Sequence, residues 1–130
     1  MFDEPKYGWC KFSPTNDIEF FVSDITNMFP VWLEQIEFGL KTRTPICLYM
    51  DGEDKESYLI LDFFDAFFIE IDEDTKTTRL DLSIKSFAKI LKEDIQKYLS
   101  SWKRWGCADD TDPDNEFDFT KIDELLKKVG

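Results

Sequence analysis

The sequence predicts a single α+β domain of 130 residues, an antiparallel β-meander of about four to five strands packed against helices. The observation that organises the chain is the apolar stretch at residues 57–72, which reads SYLILDFFDAFFIEID. Around it lie short strand-like segments, and before and after these the apolar residues recur at helical spacing. Because almost continuously apolar strands are usually covered on both faces, we expect the earlier strands to be buried on both faces, with the carboxylates of the stretch at strand ends or on a partly wet face.

The first predicted elements are a short strand and a helical segment. Residues 6–12 (KYGWCKF) predict the strand. Residues 18–40 carry apolar side chains at steps of three and four, with Asp17 as the expected N-cap. Pro30 does not fit a helix interior, so we expect a kink, or two helices of which the second runs from near Pro30 to near Gly39. A strand in the first five residues of this segment is the alternative.

A meander and a long helix are predicted next. The meander has strands at residues 46–50, 58–64, 67–71 and 77–82, with turns at the sequences DGED and DEDT. The last two strands alternate apolar and polar residues, so we expect them to have one wet face. Ser83 is the expected N-cap of a helix whose apolar stripe reaches Trp102 and which ends at Gly106. Beyond it we predict a loop at residues 107–118 and a short terminal helix opened by Thr120.

Cysteine usage and hydropathy indicate a cytoplasmic protein. Cys10, Cys47 and Cys107 are scattered and odd in number, which is typical of reduced thiols; we expect Cys47 to fill the core. No apolar run reaches the roughly 20 residues of a membrane span. The first residues, MFDEPKYG, lack the basic and apolar regions of a signal peptide.

Charge is the strongest global feature of the sequence. Twenty-eight acids against sixteen bases give a net charge of −12. Residues 51–81 hold eleven acids and three bases, and residues 107–118 hold six acids and no base, whereas residues 83–104 carry a net charge of +4. Such a field repels nucleic acid and membrane surfaces and attracts basic partners.

The sequence contains no recognisable catalytic signature, and we expect no cofactor. Without histidine there is no Ser-His or Cys-His nucleophile and no histidine metal site. Carboxylates at alternate positions of residues 110–118 resemble an EF-hand calcium loop, but Asn115 replaces the turn glycine and Lys121 the bidentate glutamate. We therefore predict a plain acidic loop and no metal.

The overall character of the chain resembles bacterial toxin-immunity proteins, including those of contact-dependent growth inhibition systems. The segments that carry the resemblance are residues 30–40 (PVWLEQIEFGL), 59–72 (LILDFFDAFFIEID) and 83–99 (SIKSFAKILKEDIQKYL). It is a match of character rather than of a diagnostic motif. The resemblance implies tight binding to a cognate toxin domain, often a nuclease, without an enzymatic activity of the immunity protein itself.

If the partner is a basic toxin domain, the acidic turns are the expected contact surface. Our first choice is the turn with Asp51, Glu53, Asp54 and Glu56, and the second is the turn with Asp72, Glu73 and Asp74. The third choice is the loop at residues 109–118, with Asp110, Asp112 and Asp114. Phe117 and Trp105 are candidate aromatic anchors, although Trp105 also fits as a lid on the core.

Two other functions remain open at this point. The chain also fits another acidic interaction protein, such as an adaptor or a nucleic-acid mimic. The third possibility is a divalent-metal-dependent hydrolase that uses Asp62, Asp65, Glu70 or Asp74. The oligomeric state is open too, since an uncovered edge strand permits dimers.

Overall fold

The computed structural model describes residues 1–25 and 28–105, which form two antiparallel sheets and three helices. In chain order the elements are β1 (Trp9–Phe12), β2 (Phe20–Ser23), α1 (Phe29–Thr42), β3 (Ile46–Asp51), β4 (Glu56–Leu61), β5 (Ala66–Ile71), β6 (Thr75–Leu80), α2 (Ile84–Lys97) and α3 (Leu99–Trp105). Strands β1 and β2 pair with each other, and β3 to β6 form a four-stranded meander in which each strand pairs with the next. The predicted α+β class and the antiparallel meander are confirmed.

The helix predicted from residue 18 is wrong in its first part. Residues 20–23 form β2, as in the strand alternative, because β1 provides a partner: Cys10 pairs with Val22 and Phe12 with Phe20. Helix α1 begins only at Phe29 and places Pro30 in its first turn, where a missing N–H costs nothing. It continues past Gly39 to Thr42, where Arg43 adopts a left-handed conformation with φ of 55°.

The four predicted strands of the meander are confirmed, with shifted ends. β4 ends at Leu61 because the chain turns at residues 62–65, where the Asp62 N–H donates to the Asp65 carbonyl at 2.9 Å. β6 begins at Thr75, two residues earlier than predicted. Both expected turns, after β3 and after β5, are present.

The helix after Ser83 is confirmed at its start but is divided in two. The Ser83 hydroxyl accepts the Ser86 N–H at 3.1 Å, and the Ser86 hydroxyl accepts the Ser83 N–H at 3.0 Å, which is a capping box. The helical conformation is interrupted at Tyr98, and α3 begins at Leu99. The predicted loop at residues 107–118 and the terminal helix from Thr120 lie outside the described residues.

The hydrophobic core lies on one face of the four-stranded sheet, which we call the inner face. Leu48, Leu59 and Phe68 on this face are completely buried. The β1–β2 hairpin packs on it, since the Phe68 ring lies 5.4 Å from the Phe12 ring and 5.8 Å from that of Phe20, measured between centroids. Each fully buried large side chain contributes roughly 1.5–3 kcal/mol, so this face supplies much of the driving force for folding.

Helix α1 also packs on the inner face. At Gly39 a Cβ would lie only 2.7 Å from Cγ2 of Ile46 and 3.2 Å from Cδ1 of Ile84, so the helix approaches β3 and the start of α2 closely. The Trp32 indole Nε1 donates to the Tyr49 carbonyl at 2.7 Å. This bond satisfies a carbonyl on the outer edge of β3, which pairs only with β4 among the described strands. The other edge of the sheet, β6, pairs only with β5 among the described strands.

Within residues 1–25 and 28–105, no helix or strand packs on the opposite face of the sheet, and the prediction that the earlier strands of the meander are covered on both sides is wrong. We define the outer face as Cys47, Tyr49, Tyr58, Ile60, Phe67 and Ile69, which alternate with the buried residues of β3, β4 and β5. Cys47 and Phe67 are exposed, and the other four are half-buried. Because the hairpin β1–β2 and helix α1 pack on the inner face, the side chains of the outer face point away from both of these elements.

Candidate functional site

The turn between β3 and β4 is held by its own backbone and by one carboxylate. Asp51 Oδ1 accepts the Glu53 N–H at 2.7 Å, and the Gly52 N–H donates to the Lys55 carbonyl at 2.9 Å. Gly52 is buried, and a Cβ there would lie 2.9 Å from Cζ of Phe20. The turn therefore sits against the β1–β2 hairpin, and the side chains of Glu53 and Asp54 are exposed.

The turn between β5 and β6 presents three further carboxylates. The Asp72 N–H donates to the Asp74 carbonyl at 3.1 Å, which closes the turn. The side chains of Asp72, Glu73 and Asp74 are all exposed. These were the second choice for a contact surface.

The topology of the meander brings the two turns to the same end of the sheet. Asp51 pairs with Glu56, Glu56 pairs with Ile71, and Ile71 pairs with Thr75, so the ends of all four strands lie in one row. An open cleft of about 400 Å³ is lined by residues of both turns. We define the acidic end as Asp51, Glu53, Asp54, Glu56, Asp72, Glu73 and Asp74. The first and second choices thus form one surface.

The acidic end has a strongly negative field. The turns hold seven carboxylates, against Lys55 within the first turn and Lys76 at the start of β6. The Lys55 Nζ lies over the Phe20 ring, 5.3 Å from its centroid. The Tyr49 phenol responds to this field: burial, then the charges of Asp51 and Glu56, raise its pKa. Its hydroxyl donates to Glu56 Oε1 at 3.4 Å. A surface of this kind attracts lysine and arginine side chains of a partner, and does so more strongly at low salt.

A second cavity, of about 440 Å³, lies near the N-terminal residues but carries both signs of charge. It is lined by Glu4, Lys6, Asp24 and Arg104, among others. Glu4 lies 3.6 Å from the Lys6 ammonium and accepts the Ser101 hydroxyl at 2.9 Å. Because these charges offset one another, the cavity has a weaker net field than the acidic end.

The four carboxylates considered for a metal-dependent hydrolase are not brought together. Asp62 and Asp65 lie in the turn between β4 and β5, where Arg79 donates to Asp65 at 3.3 Å, and Asp74 lies at the other end of the sheet. A six-residue strand separates the two ends by roughly 20 Å. Glu70 is half-buried on β5. Within residues 1–25 and 28–105, no cluster of three or more histidine, cysteine, aspartate or glutamate side chains has the geometry to hold a metal ion.

The two aromatic anchor candidates have different outcomes. Trp105 is buried, with 6% of its surface exposed, and its ring lies 5.4 Å from that of Trp102 and 6.1 Å from that of Trp32. Trp105 is part of the aromatic core, in agreement with the alternative prediction that it covers the core. We therefore leave Trp105 out of the contact surface. Phe117, with Asp110, Asp112, Asp114 and the rest of the loop at residues 109–118, lies outside the described residues.

Two of the cysteines are described, and their environments differ. Cys10 is buried, and its Sγ lies 3.4 Å from the Asp3 carbonyl; burial, with the Asp3 charge, raises the pKa of its thiol well above the ordinary value. Cys47 is exposed on the outer face, so its prediction as core filler is wrong. Strand alternation places Cys47 on the face opposite to Leu48, but the sequence does not show which of the two faces is covered.

Comparison with known proteins gives no family for this chain. It matches no protein-family model, no curated protein and no solved structure. Among the described residues, none of the helices has both the length and the apolar character needed to cross a membrane. Proposals about function therefore depend on the surface itself.

Proposed function

We propose that this protein is a cytoplasmic immunity protein, which binds a basic toxin domain through its acidic end and thereby neutralises it. The observation that supports this proposal is the convergence of two acidic turns, distant in sequence, into one surface of seven carboxylates. One acidic turn is an ordinary way to keep a protein in solution, whereas two turns that share a cleft concentrate the field in one direction.

The proposed partner follows from the sign of this field. A nuclease must be basic where it holds phosphate, so an acidic surface is complementary to its substrate site. Occupation of that site excludes the nucleic acid by competition, and the inhibitor needs no chemistry of its own. Electrostatic attraction also raises the association rate, which reaches roughly 10⁸–10⁹ M⁻¹s⁻¹ for steered pairs at low salt.

The backbone of the acidic end is suited to tight binding because it is already ordered. The hydrogen bonds of the two turns fix the positions from which Glu53, Asp54 and Glu73 project. Fewer degrees of freedom are then lost on association than from a flexible loop. This distinguishes the surface from an unstructured acidic tail.

The first experiment identifies the partner and tests the surface. Tagged wild-type protein is used to capture binding proteins from the native lysate, in parallel with the variant Asp54→Lys, Asp72→Lys, Glu73→Lys. The matched control is Glu34→Lys, Asp81→Lys, Glu93→Lys, which replaces exposed acids on α1, after β6 and on α2. Each triple variant changes the net charge from −12 to −6. We expect the control to retain a basic partner that the acidic-end variant loses.

The second experiment tests neutralisation with the purified partner. Surface plasmon resonance at low and high salt should show an association rate at least about tenfold lower for the acidic-end variant than for the control. Expression of the partner domain should arrest growth of a bacterial host, and co-expression of the wild-type chain should restore it. A partner that is bound without being inhibited would show that the protein is an adaptor. Equal association rates for the two triple variants would show that the acidic end is not the contact surface.

A further inference from the structure

The outer face is unusual for a sheet with one solvated side. In an antiparallel sheet of this kind the solvent side is ordinarily polar. Here two cross-strand rows are apolar or aromatic: Cys47, Ile60 and Phe67 form one row, and Tyr49, Tyr58 and Ile69 form the next. The Tyr49 and Tyr58 rings lie 5.4 Å apart. The composition is that of a covered face.

The surroundings of the outer face have the anatomy of a protein interface. Along β6 the two rows end in Arg79 and Thr77, which are exposed and polar. At one end of the sheet, the next row is Asp51, Glu56 and Ile71, and this row belongs to the acidic end or borders it. An apolar centre with a polar rim is the arrangement found in specific protein–protein interfaces, where aromatic residues near the centre dominate the binding energy.

We propose that the outer face is the centre of the interface with the basic partner, and that the acidic end is the rim of the same interface. This inference rests on the proposed function, which it makes more specific. The toxin domain would place an apolar patch on Tyr58 and Ile69 and its cationic side chains on the acidic end. The active site of the toxin would then lie at the border of the contact, near the carboxylates.

Charge favours a basic partner over a second copy of this chain and over the acidic residues 107–118. A second copy of this chain would bring another −12 charge and a second acidic end to the contact. Residues 107–118 of the same chain hold six acids and no base, so they would be repelled by the row that contains Asp51 and Glu56. A basic domain gains from both parts of the surface, from burial on the outer face and from ion pairing at the rim.

Photo-crosslinking in the native cells distinguishes these occupants. The probe p-benzoylphenylalanine is placed at Tyr58 on the outer face, at Glu73 in the acidic end and, as a control, at Tyr7, which is 98% exposed elsewhere. We expect positions 58 and 73 to crosslink to the same basic protein and position 7 not to. A dimer of this chain, or an internal crosslink from position 58 to residues 106–130, would overturn the inference.

The same probes separate failure of this inference from failure of the proposed function. A basic protein crosslinked at position 73 but not at position 58 refutes the outer face and leaves the acidic end in place. If neither position crosslinks to a basic protein, both proposals fail. Mass spectrometry of the crosslinked peptides identifies the partner and its contact segment.

Binding kinetics with the crosslinked partner, once purified, give a second test. The variant Tyr58→Thr, Ile69→Thr keeps residues that favour strands but removes the apolar centre. We expect its dissociation rate to rise at least about tenfold while its association rate changes by less than about twofold. The control Phe21→Thr, Phe38→Thr removes two exposed aromatic side chains from β2 and α1, away from the outer face, and it should leave both rates unchanged. A dissociation rate equal to that of the wild type in a variant with an unchanged circular dichroism melt would overturn the inference.

Discussion

The indole of Trp32 should contribute more to stability than that of Trp102, although both side chains are buried to within 1%. Trp32 Nε1 donates to the Tyr49 carbonyl at 2.7 Å, whereas Trp102 Nε1 has no acceptor among the described residues. The two substitutions Trp32→Phe and Trp102→Phe remove the same atoms from the same aromatic cluster. They differ in whether a hydrogen bond is lost.

The expected magnitudes follow from these two terms. Replacing indole by phenyl removes two carbons, which corresponds to about 1.5 kcal/mol of lost burial. At Trp32 the unpaired carbonyl of Tyr49 adds about 1–3 kcal/mol, so Trp32→Phe should cost about 3–4 kcal/mol. At Trp102 the substitution also removes an unsatisfied buried N–H, which offsets most of the loss, and the cost should be about 1 kcal/mol or less.

Urea unfolding monitored by far-UV circular dichroism measures this difference without relying on tryptophan fluorescence, which both substitutions change. The two variants should differ by about 2–3 kcal/mol in the free energy of unfolding, and by roughly 8–12 °C in Tm at about 4 °C per kcal/mol. Equal losses in the two variants would refute the role assigned to the Trp32 hydrogen bond.

Three further predictions concern stability. Gly39→Ala should destabilise the protein by about 1–3 kcal/mol, although alanine has the better helix propensity, because the new methyl group meets Cγ2 of Ile46 at 2.7 Å. In an Ile46→Ala background the same substitution should cost less, and a double-mutant cycle in urea measures the difference. Ser83→Ala should lower the free energy of unfolding by about 1 kcal/mol because the Ser86 N–H loses its acceptor. Ser83→Thr keeps a hydroxyl acceptor and should retain most of this stability. An alanine variant as stable as the threonine variant would contradict the prediction. Burial raises the pKa of the Cys10 thiol from its ordinary value of 9.0, so above pH 9 only the unfolded chain loses this proton. The free energy of unfolding should therefore fall by about 1.4 kcal/mol per pH unit above pH 9. A Cys10→Ala variant should lose less stability between pH 8 and pH 10 in urea titrations, and equal losses in the variant and the wild type would count against this prediction.

The fold was largely predictable because local patterns and packing agree over most of the described chain. Apolar runs bounded by acidic turns predicted the first strands of the meander, alternation supported the last two, and Ser83 marked the start of α2 through its cap. The segment before α1 was mispredicted because its apolar spacing suits a helix as well as a strand. Pairing with β1 decided between them, and the periodicity of one segment carries no information about that partner.

The candidate site was predictable in its residues but not in its assembly. The sequence identifies Glu53 and Glu73 as acidic turn residues, but their shared cleft depends on the register between β4 and β5. The outer face was missed because apolar composition alone does not tell a covered face from an uncovered one. That distinction depends on where α1 and the β1–β2 hairpin pack, which only the tertiary structure defines.

The two edge strands of the four-stranded sheet differ, and this difference limits how copies of this protein can pair strand to strand. The indole of Trp32 donates to the carbonyl of Tyr49 at the outer edge of β3, so another strand can pair there only by displacing this hydrogen bond. Among the described strands, β6 is the edge strand that remains open for pairing with another strand. Two copies paired through β6 would form a continuous eight-stranded sheet, and its two outer strands would both be β3, each with its Trp32 hydrogen bond. Such an assembly is self-limiting, and the architecture opposes open-ended fibres.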